Sequence, residues 1–305
     1  MNEHNRAIRK PGGRPKPAKR GRGLAFFLST LAILAFTVLY SFTDVLPKRF
    51  GQLPHDGEIY VSFIDVGQGD SILIRAKDNA VLIDGGEARS REAVMTYLRE
   101  AGVARLCMVV ISHPHSDHIG SLPVILSSVD VGLVAMPDVE HPTASFENLL
   151  EAILNNDLEV VFPLSGDSLV AGIINLEVVS PQEFSEDINN SSIVLRLVHG
   201  NTAFLFTGDA ERQAEELMMQ SVSIRADVLK VGHHGSRTST SQEFLETVNP
   251  SIAVISLGTG NRFGHPHPDV IGRLEKFGAE ILRTDIHGNI TMVTDGREIG
   301  VYVDR

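Results

Sequence analysis

The sequence has one cysteine and no tryptophan in 305 residues, and aromatic side chains make up 6% of it. A single thiol, Cys107, excludes an internal disulfide framework. It lies in the apolar run "RLCMVVIS", so it is expected as a buried strand residue. The shortage of aromatics leaves little material for the stacking rows of single-strand binders. Basic residues are scarce after the start of the chain. The first 49 residues hold ten of the 27 basic residues and two of the 38 acidic ones, which leaves 17 basic against 36 acidic and a formal charge of −19. So acidic a body is no general binder of polyanions. Nucleic acid would have to meet a local basic patch or bound cations.

Charge is also missing from residues 24–42, "LAFFLSTLAILAFTVLYSF". At about 1.5 Å per residue, a helix of that length crosses the hydrocarbon core of a bilayer. A core helix would need a polar face, and only scattered Ser, Thr and Tyr interrupt this run. Residues 1–23 carry eight Lys or Arg, one Glu and three Pro, and cannot bury enough surface to fold. This basic flank is expected on the cytoplasmic side, with the rest of the chain outside. A cleaved signal peptide is the alternative, but the run is long for one and no clean small-x-small site follows it. The expected organisation is a basic cytoplasmic tail (1–23), a transmembrane signal anchor (24–42), a linker (43–57) and an extracytoplasmic domain (58–305).

What is there from residue 58 onward is a succession of strands and helices. "EIYVSFIDVG", "DSILIRA" and "NAVLIDGG" read as strands, the first two separated by the turn-like "GQGD". "SREAVMTYLREAGV" and "SFENLLEAILNND" have apolar residues at helical spacing. The second half repeats the logic: "INLEVVSP", "SIVLRLVHG", "TAFLFTGDA", "ADVLKVG" and "SIAVISLG" are strands, while "ERQAEELMMQ", "SQEFLETVNP" and "HPDVIGRLEKFG" are helices. "EILRTDIHGNITMVTDG" is expected as an end hairpin. Two halves of strands plus helices in one continuous α/β unit predict an αββα sandwich, two sheets face to face with helices outside.

Ligand-type residues gather where strands end. "VVIS" is followed by His113, His115, Asp117 and His118, "LFTG" by Asp209, "LKVG" by His233 and His234, and the "AVIS" strand by His265 and His267. Seven of the twelve histidines fall in these clusters, while His4, His55, His141, His199 and His287 stand singly and read as solvated. Strand ends are where a sheet scaffold converges side chains onto one point. In "HPHSDH", His113 and His115 can face one ion, Asp117 and His118 a second. Asp209 is the candidate bridging carboxylate. Imidazole and carboxylate without thiolate suit zinc and tolerate manganese or iron.

"HPHSDH" is an HxHxDH signature and resembles the metallo-β-lactamase-fold hydrolases, as do "VLIDGG" and "LFTGD". "FIDVGQGDSILI", "NNSSIVLRL", "LKVGHHGS" and "GHPHP" narrow the resemblance to the hydrolase domain of ComEC-type DNA-uptake competence proteins, in a stand-alone form, over residues 58–303. The resemblance implies two divalent ions, Zn²⁺ or else Mn²⁺, held by His113, His115, Asp117, His118 and Asp209. Most superfamily members place a third histidine before the bridging aspartate, but "INNSSIVL" offers none. His234 is therefore assigned to the first ion and His265 to the second, with His233 and His267 as rivals. Asp117, His233, Asn190 and Ser192 are the expected catalytic or substrate-facing groups. Asp84 is expected to order the ligand loop from behind, and Asp70 either does the same or forms a plain turn.

These residues predict hydrolysis by hydroxide generated between two cations. DNA is the first expected substrate, by resemblance. A cell-wall phosphodiester of the phosphocholine–teichoic acid type, or a lactone or other ester, is the alternative. A basic or aromatic groove would discriminate, and Arg196, Arg237 and Arg262 lie near the motifs. Flavin-linked diiron chemistry is disfavoured because His115 stands where those relatives carry a carboxylate. A β-CASP nuclease is disfavoured because only 23 residues separate Asp209 from His233. A binding module without chemistry is disfavoured by the full set of ligand types.

Overall fold

Alternation of apolar side chains along the strands builds the fold. The structure is a computed structural model that describes residues 54–184, 187–221 and 223–305. The expected tail, membrane anchor and most of the linker lie outside the described residues. Among the described residues no helix is long and apolar enough to cross a membrane. In chain order the strands are β1 (Ile59–Phe63), β2 (Ile72–Ala76), β3 (Asn79–Ile83), β4 (Arg105–Leu106), β5 (Met108–Val110), β6 (Asp130–Val131), β7 (Val134–Ala135), β8 (Val160–Val161), β9 (Ser168–Ala171), β10 (Ile174–Ser180), β11 (Val194–His199), β12 (Thr202–Phe206), β13 (Val228–Lys230), β14 (Ile252–Ile255), β15 (Glu280–Arg283), β16 (Ile290–Thr294) and β17 (Ile299–Val303). The principal helices are α1 (Arg91–Glu100), α2 (Leu122–Ser128), α3 (Ala144–Asn155), α4 (Arg212–Ser221), α5 (Gln242–Val248) and α6 (Pro268–Phe277).

Among the described residues the strands form an eight-stranded sheet ordered β17-β16-β1-β2-β3-β5-β7-β8 and a seven-stranded sheet ordered β15-β14-β13-β12-β11-β10-β9, with β4 and β6 as a small separate pair. Successive side chains on a strand point to opposite faces. Ile59, Val61 and Phe63 therefore meet Leu195, Leu197, Phe204 and Phe206 between the sheets. Leu73, Leu82 and Val109 face the other way, under Leu98 of α1, Ile125 of α2 and Leu149 of α3. On the second sheet Leu205, Leu229 and Ala253 pack beneath Met218 of α4, Leu245 of α5 and Leu274 of α6. Each such buried leucine contributes about 1.5–3 kcal/mol, so three apolar layers hold the αββα sandwich expected from the pattern.

Direction positions the site. Strands β3, β5, β7 and β8 run parallel, as do β12, β13, β14 and β15. In each group the carboxyl ends emerge along one edge, where ligands of open α/β sheets gather. The two edges are tied together by the Ile193 amide, which donates to the Ser112 carbonyl at 2.9 Å.

Two expectations are corrected. Residues 280–296 are not an end hairpin: β15 pairs with β14 in the second sheet, whereas β16 lies between β1 and β17 in the first. A helical turn at Thr284–His287 separates them, anchored by the Thr284 hydroxyl, which accepts from the Leu257 amide (2.9 Å) and donates to its carbonyl (3.1 Å). The terminal hairpin is β16–β17 instead. Cys107 is half-buried and lies in the break between β4 and β5, its thiol donating weakly to Asn79 Oδ1 at 3.5 Å.

Candidate metal centre

Backbone shape brings the ligands together. After β5 the chain runs extended through His115 and then makes one helical turn over Ser116–Ile119, so Asp117 and His118 turn back toward His113. Gly69 lets the "GQGD" loop lie against that turn: a Cβ there would sit 2.0 Å from the Asp117 carbonyl oxygen, and φ is +125°. After β13, His233 and His234 both adopt left-handed backbone (φ +46° and +53°), as does Asp84 after β3 (φ +56°). Non-glycine residues held there cost on the order of 1–3 kcal/mol each and cluster at functional sites.

Asp209 is the centre of the arrangement and is almost wholly buried. Its Oδ2 lies 3.6 Å from His113 Nε2 and 3.6 Å from His233 Nε2. Its Oδ1 lies 3.4 Å from His118 Nε2 and 3.6 Å from His234 Nε2. His115 Nδ1 closes the first group at 2.9 Å from His113 Nε2. Asp117 Oδ2 closes the second at 3.4 Å from His234 Nε2. Two donor sets thus share one carboxylate, one oxygen to each.

Four of the five donor histidines have their other ring nitrogen engaged. His118 Nδ1 faces Asp84 Oδ2 at 2.8 Å, His234 Nδ1 the Ser256 carbonyl at 2.9 Å, His233 Nδ1 Glu211 Oε1 at 2.9 Å, and His113 Nδ1 the Ser112 hydroxyl at 3.1 Å. Asp84 also accepts from the Ser112 amide (2.8 Å) and hydroxyl (2.6 Å). Anchoring Nδ1 to an acceptor fixes the tautomer and leaves Nε2 free to ligate. The donor set passes a direct test of fit. His118 Nε2, His234 Nε2 and Asp209 Oδ1 are buried without a hydrogen-bond partner, yet they face one another at distances too long for hydrogen bonds. Orphaned buried polar atoms of this kind are costly unless a cation completes them.

Charge explains the rest. Burial pushes His118 and His234 down, but the Asp209 carboxylate, with Asp84 beside His118 and Asp117 beside His234, outweighs it and raises both above the usual histidine range. Burial and the neighbouring His118 hold His113 well below that range. Burial opposes ionisation of Asp209 itself, but His234, His118 and His113 together hold it well below the ordinary carboxylate range. Behind the second set lies Lys230, fully buried, ion-paired with Asp70, donating to the Gly208 carbonyl at 2.8 Å and 3.9 Å from Asp209 Oδ1.

The sequence profile of the metallo-β-lactamase superfamily matches residues 64–259. The chain belongs to the metallo-β-lactamase superfamily. It is 33% identical over 258 residues to ComE operon protein 3 of Bacillus subtilis, which covers 78% of this chain and 33% of that protein. It is 33% identical over 237 residues to competence protein ComA of Neisseria gonorrhoeae, covering 76% of this chain and 32% of that one. The chain thus spans about a third of the length of these relatives. Among solved structures, CmlA, a diiron β-hydroxylase from Streptomyces venezuelae, shares the fold with TM-score 0.55 and 14% identity, over 78% of this chain and 54% of that one. The metallo-β-lactamase fold protein YhfI from Bacillus subtilis does so with TM-score 0.52 and 14% identity, over 80% and 100%. This is a superfamily of metal-dependent hydrolases, and the fold alone does not choose the substrate.

Within this superfamily's scaffold, His113, His115, Asp117, His118 and Asp209 come together in the pairing the signature suggested. The later histidines are redistributed. His234 joins Asp117 and His118, not the first group. His265 joins neither group: Asn261 brackets its backbone (Asn261 Nδ2 to His265 O 2.6 Å, His265 N to Asn261 Oδ1 3.1 Å), and its ring packs edge-on against His233 at 5.6 Å. His267 caps α6, its Nδ1 accepting from the Asp269 amide at 3.2 Å. Asn190 is committed as a cap, its Oδ1 accepting from the Glu211 and Ala214 amides at 3.1 Å each. The Ser192 hydroxyl accepts from the Asp209 amide at 3.2 Å, so it holds the Asp209 backbone in place. Arg196 turns away to Glu177 (2.8 Å) and the Arg225 carbonyl (2.9 Å).

Three residues escaped sequence reasoning. Lys230 carried one signal, a lone cation inside the apolar run "DVLKVG", since lysine is almost never fully buried unpaired. Glu211, the partner of His233, follows Asp209 by two positions and looked like an ordinary helix-start acid. His141, read as solvated, packs its ring edge-on against His115 at 5.2 Å.

Proposed function

We propose that this protein is a phosphodiester hydrolase working with two divalent ions that share Asp209, and that its substrate is DNA met outside the cytoplasmic membrane. The observation that carries the reading is the split of donors about one carboxylate. In this assignment His113, His115 and His233 would hold one ion and Asp117, His118 and His234 the other, with Asp209 serving both. Nitrogen and oxygen donors without sulfur suit Zn²⁺ and accept Mn²⁺. When bound, such a pair acidifies water toward neutral pH and offers Lewis acidity to a phosphoryl oxygen.

The chain's own residues do the positioning. Glu211 and Asp84 orient the His233 and His118 rings, so that each presents Nε2. Asp209 sets the spacing of the two sets. Asp117 supplies the one carboxylate of the second set that reaches the half-open side. The relatives named for competence support a DNA substrate, and the uncharged run at 24–42 behind a basic tail supports a single-pass anchor with the domain outside. The −19 body limits nonspecific affinity, so phosphate docking falls to the bound cations.

The test is hydrolysis of single- and double-stranded DNA by the purified chain with Zn²⁺ or Mn²⁺, beside Asp209→Ala. Cleavage by the parent, with loss of both bound metal and cleavage in Asp209→Ala, is expected. Protein that binds two ions and leaves DNA intact would overturn the nuclease reading. Trials on phosphocholine–teichoic acid and on lactones would then follow.

A further inference from the structure

The loop between β14 and α6, residues 258–267, is cross-tied by hydrogen bonds but presents an aromatic ring to solvent. Asn261 ties it: its amide nitrogen donates to the Gly258 (3.1 Å) and His265 (2.6 Å) carbonyls, and its oxygen accepts from the Phe263 (3.2 Å) and His265 (3.1 Å) amides. Phe263 remains 51% exposed despite this order. Among the described residues the other exposed phenylalanine, Phe162, follows β8 at a sheet edge and lines a cleft with Met108 and Leu133. Phe263 instead belongs to a chain of contacts that ends at the metal centre. The Arg262 guanidinium lies 5.1 Å from its ring centroid, and its ring stacks on His265 at 5.9 Å and 25°. His265 packs against His233 at 5.6 Å, and His233 Nε2 lies 3.6 Å from Asp209 Oδ2.

We propose that Phe263, flanked by Arg262 and His265, is a stacking platform for one unpaired nucleobase beside the metal centre, which makes the site selective for single-stranded nucleic acid. This deepens the phosphodiesterase reading and rests on it for the choice of ligand. Any base has a π-face, so stacking binds a strand without reading its sequence, while a base paired in a duplex has no face to give. The Arg262 guanidinium lies over the ring, so a base arriving there meets a planar cation, itself a stacking surface, together with the ring, where the domain is otherwise acidic. With its backbone amide held by Asn261, Phe263 loses little main-chain freedom when a base lands on it. His265, absent from both ligand sets, contacts both Phe263 and His233 and so links the platform to the first set.

The experiment uses the full chain loaded with Zn²⁺ and a phosphorothioate-linked single strand carrying one 2-aminopurine, whose fluorescence is quenched by stacking. Quenching is expected with the parent and with Phe263→Tyr. Phe263→Ala should lose it and bind the strand about fivefold to a hundredfold more weakly, the range for one stacked base, with unchanged metal content. An unlabelled duplex should compete for the site far more weakly than the same unlabelled single strand, and equal competition would overturn the single-strand selectivity. Equal quenching and affinity in Phe263→Ala would overturn the platform, and if the parent cleaves DNA the phosphodiesterase reading survives that result. Quenching that depends on Phe263 in protein that cleaves no DNA would retain the platform and overturn the nuclease reading.

Discussion

The two donor sets around Asp209 differ in make-up and in surroundings: the first has three imidazoles beside Asp209, the second two imidazoles and the Asp117 carboxylate. The second set, with His118 and His234, lies under a buried layer of Asp84, Asp70 and Lys230, and its imidazoles are almost wholly buried. The first set has His115 and His233 on the half-open side, His233 with 24% of its side chain exposed and its partner Glu211 with 23%. A carboxylate that orients a ligand acts more strongly where solvent is excluded. The comparison teaches that one aspartate can face a largely closed donor set through one oxygen and a more open one through the other, and on the dinuclear reading proposed above the closed set should hold its ion more tightly.

The sharpest way to break this comparison is to remove one orienting carboxylate at a time. Asp84→Asn should weaken the tighter of two metal-binding events by about ten- to a hundredfold, the usual cost of losing an orienting partner. Glu211→Gln should weaken the other event by less. Titration against a chromophoric chelator reads both, and equal losses would abolish the asymmetry.

Acidity sharpens it next. His118 and His234 hold protons above the usual histidine range in the ion-free protein, and those protons must leave before the rings ligate. Affinity of the second set should therefore rise with pH through and beyond the ordinary histidine range. His113 is held well below that range and His115 below it, so neither ring has a proton to release near pH 7. Calorimetry in buffers of different ionisation enthalpy counts the protons released. Release confined to the first set would reverse the assignment.

The smallest effect separates support from chemistry. Asn190→Ala removes the acceptor for two amides at the start of α4 and should cost about 0.5–2 kcal/mol of stability, as a lost helix cap does, with metal affinity and turnover retained. Lost turnover at unchanged stability would instead return Asn190 to the catalytic group.

Local chemistry was legible because it repeats at short range. The β-rich runs "EIYVSF" and "TAFLF" assigned strands to a sandwich, and "HPHSDH" assigned four ligand-type residues to one loop. His233 and His234 were not separable, since they are adjacent and both at a strand end. Only their left-handed backbone decides that one reaches Oδ2 of Asp209 and the other Oδ1. The error at 280–296 has a similar root, because period-2 patterning marks a strand without naming its sheet.

By itself, the sequence determined the superfamily, the layered architecture and the kinds of donor available, because periodicity and motif spacing are properties of neighbouring residues. The tertiary structure alone decided which donor joins which set, that Lys230 stands behind the second set, and that Phe263 stands beside the first. Those pairings join residues from different strands and from both sheets, and their energies depend on burial and distance that no single stretch of chain carries.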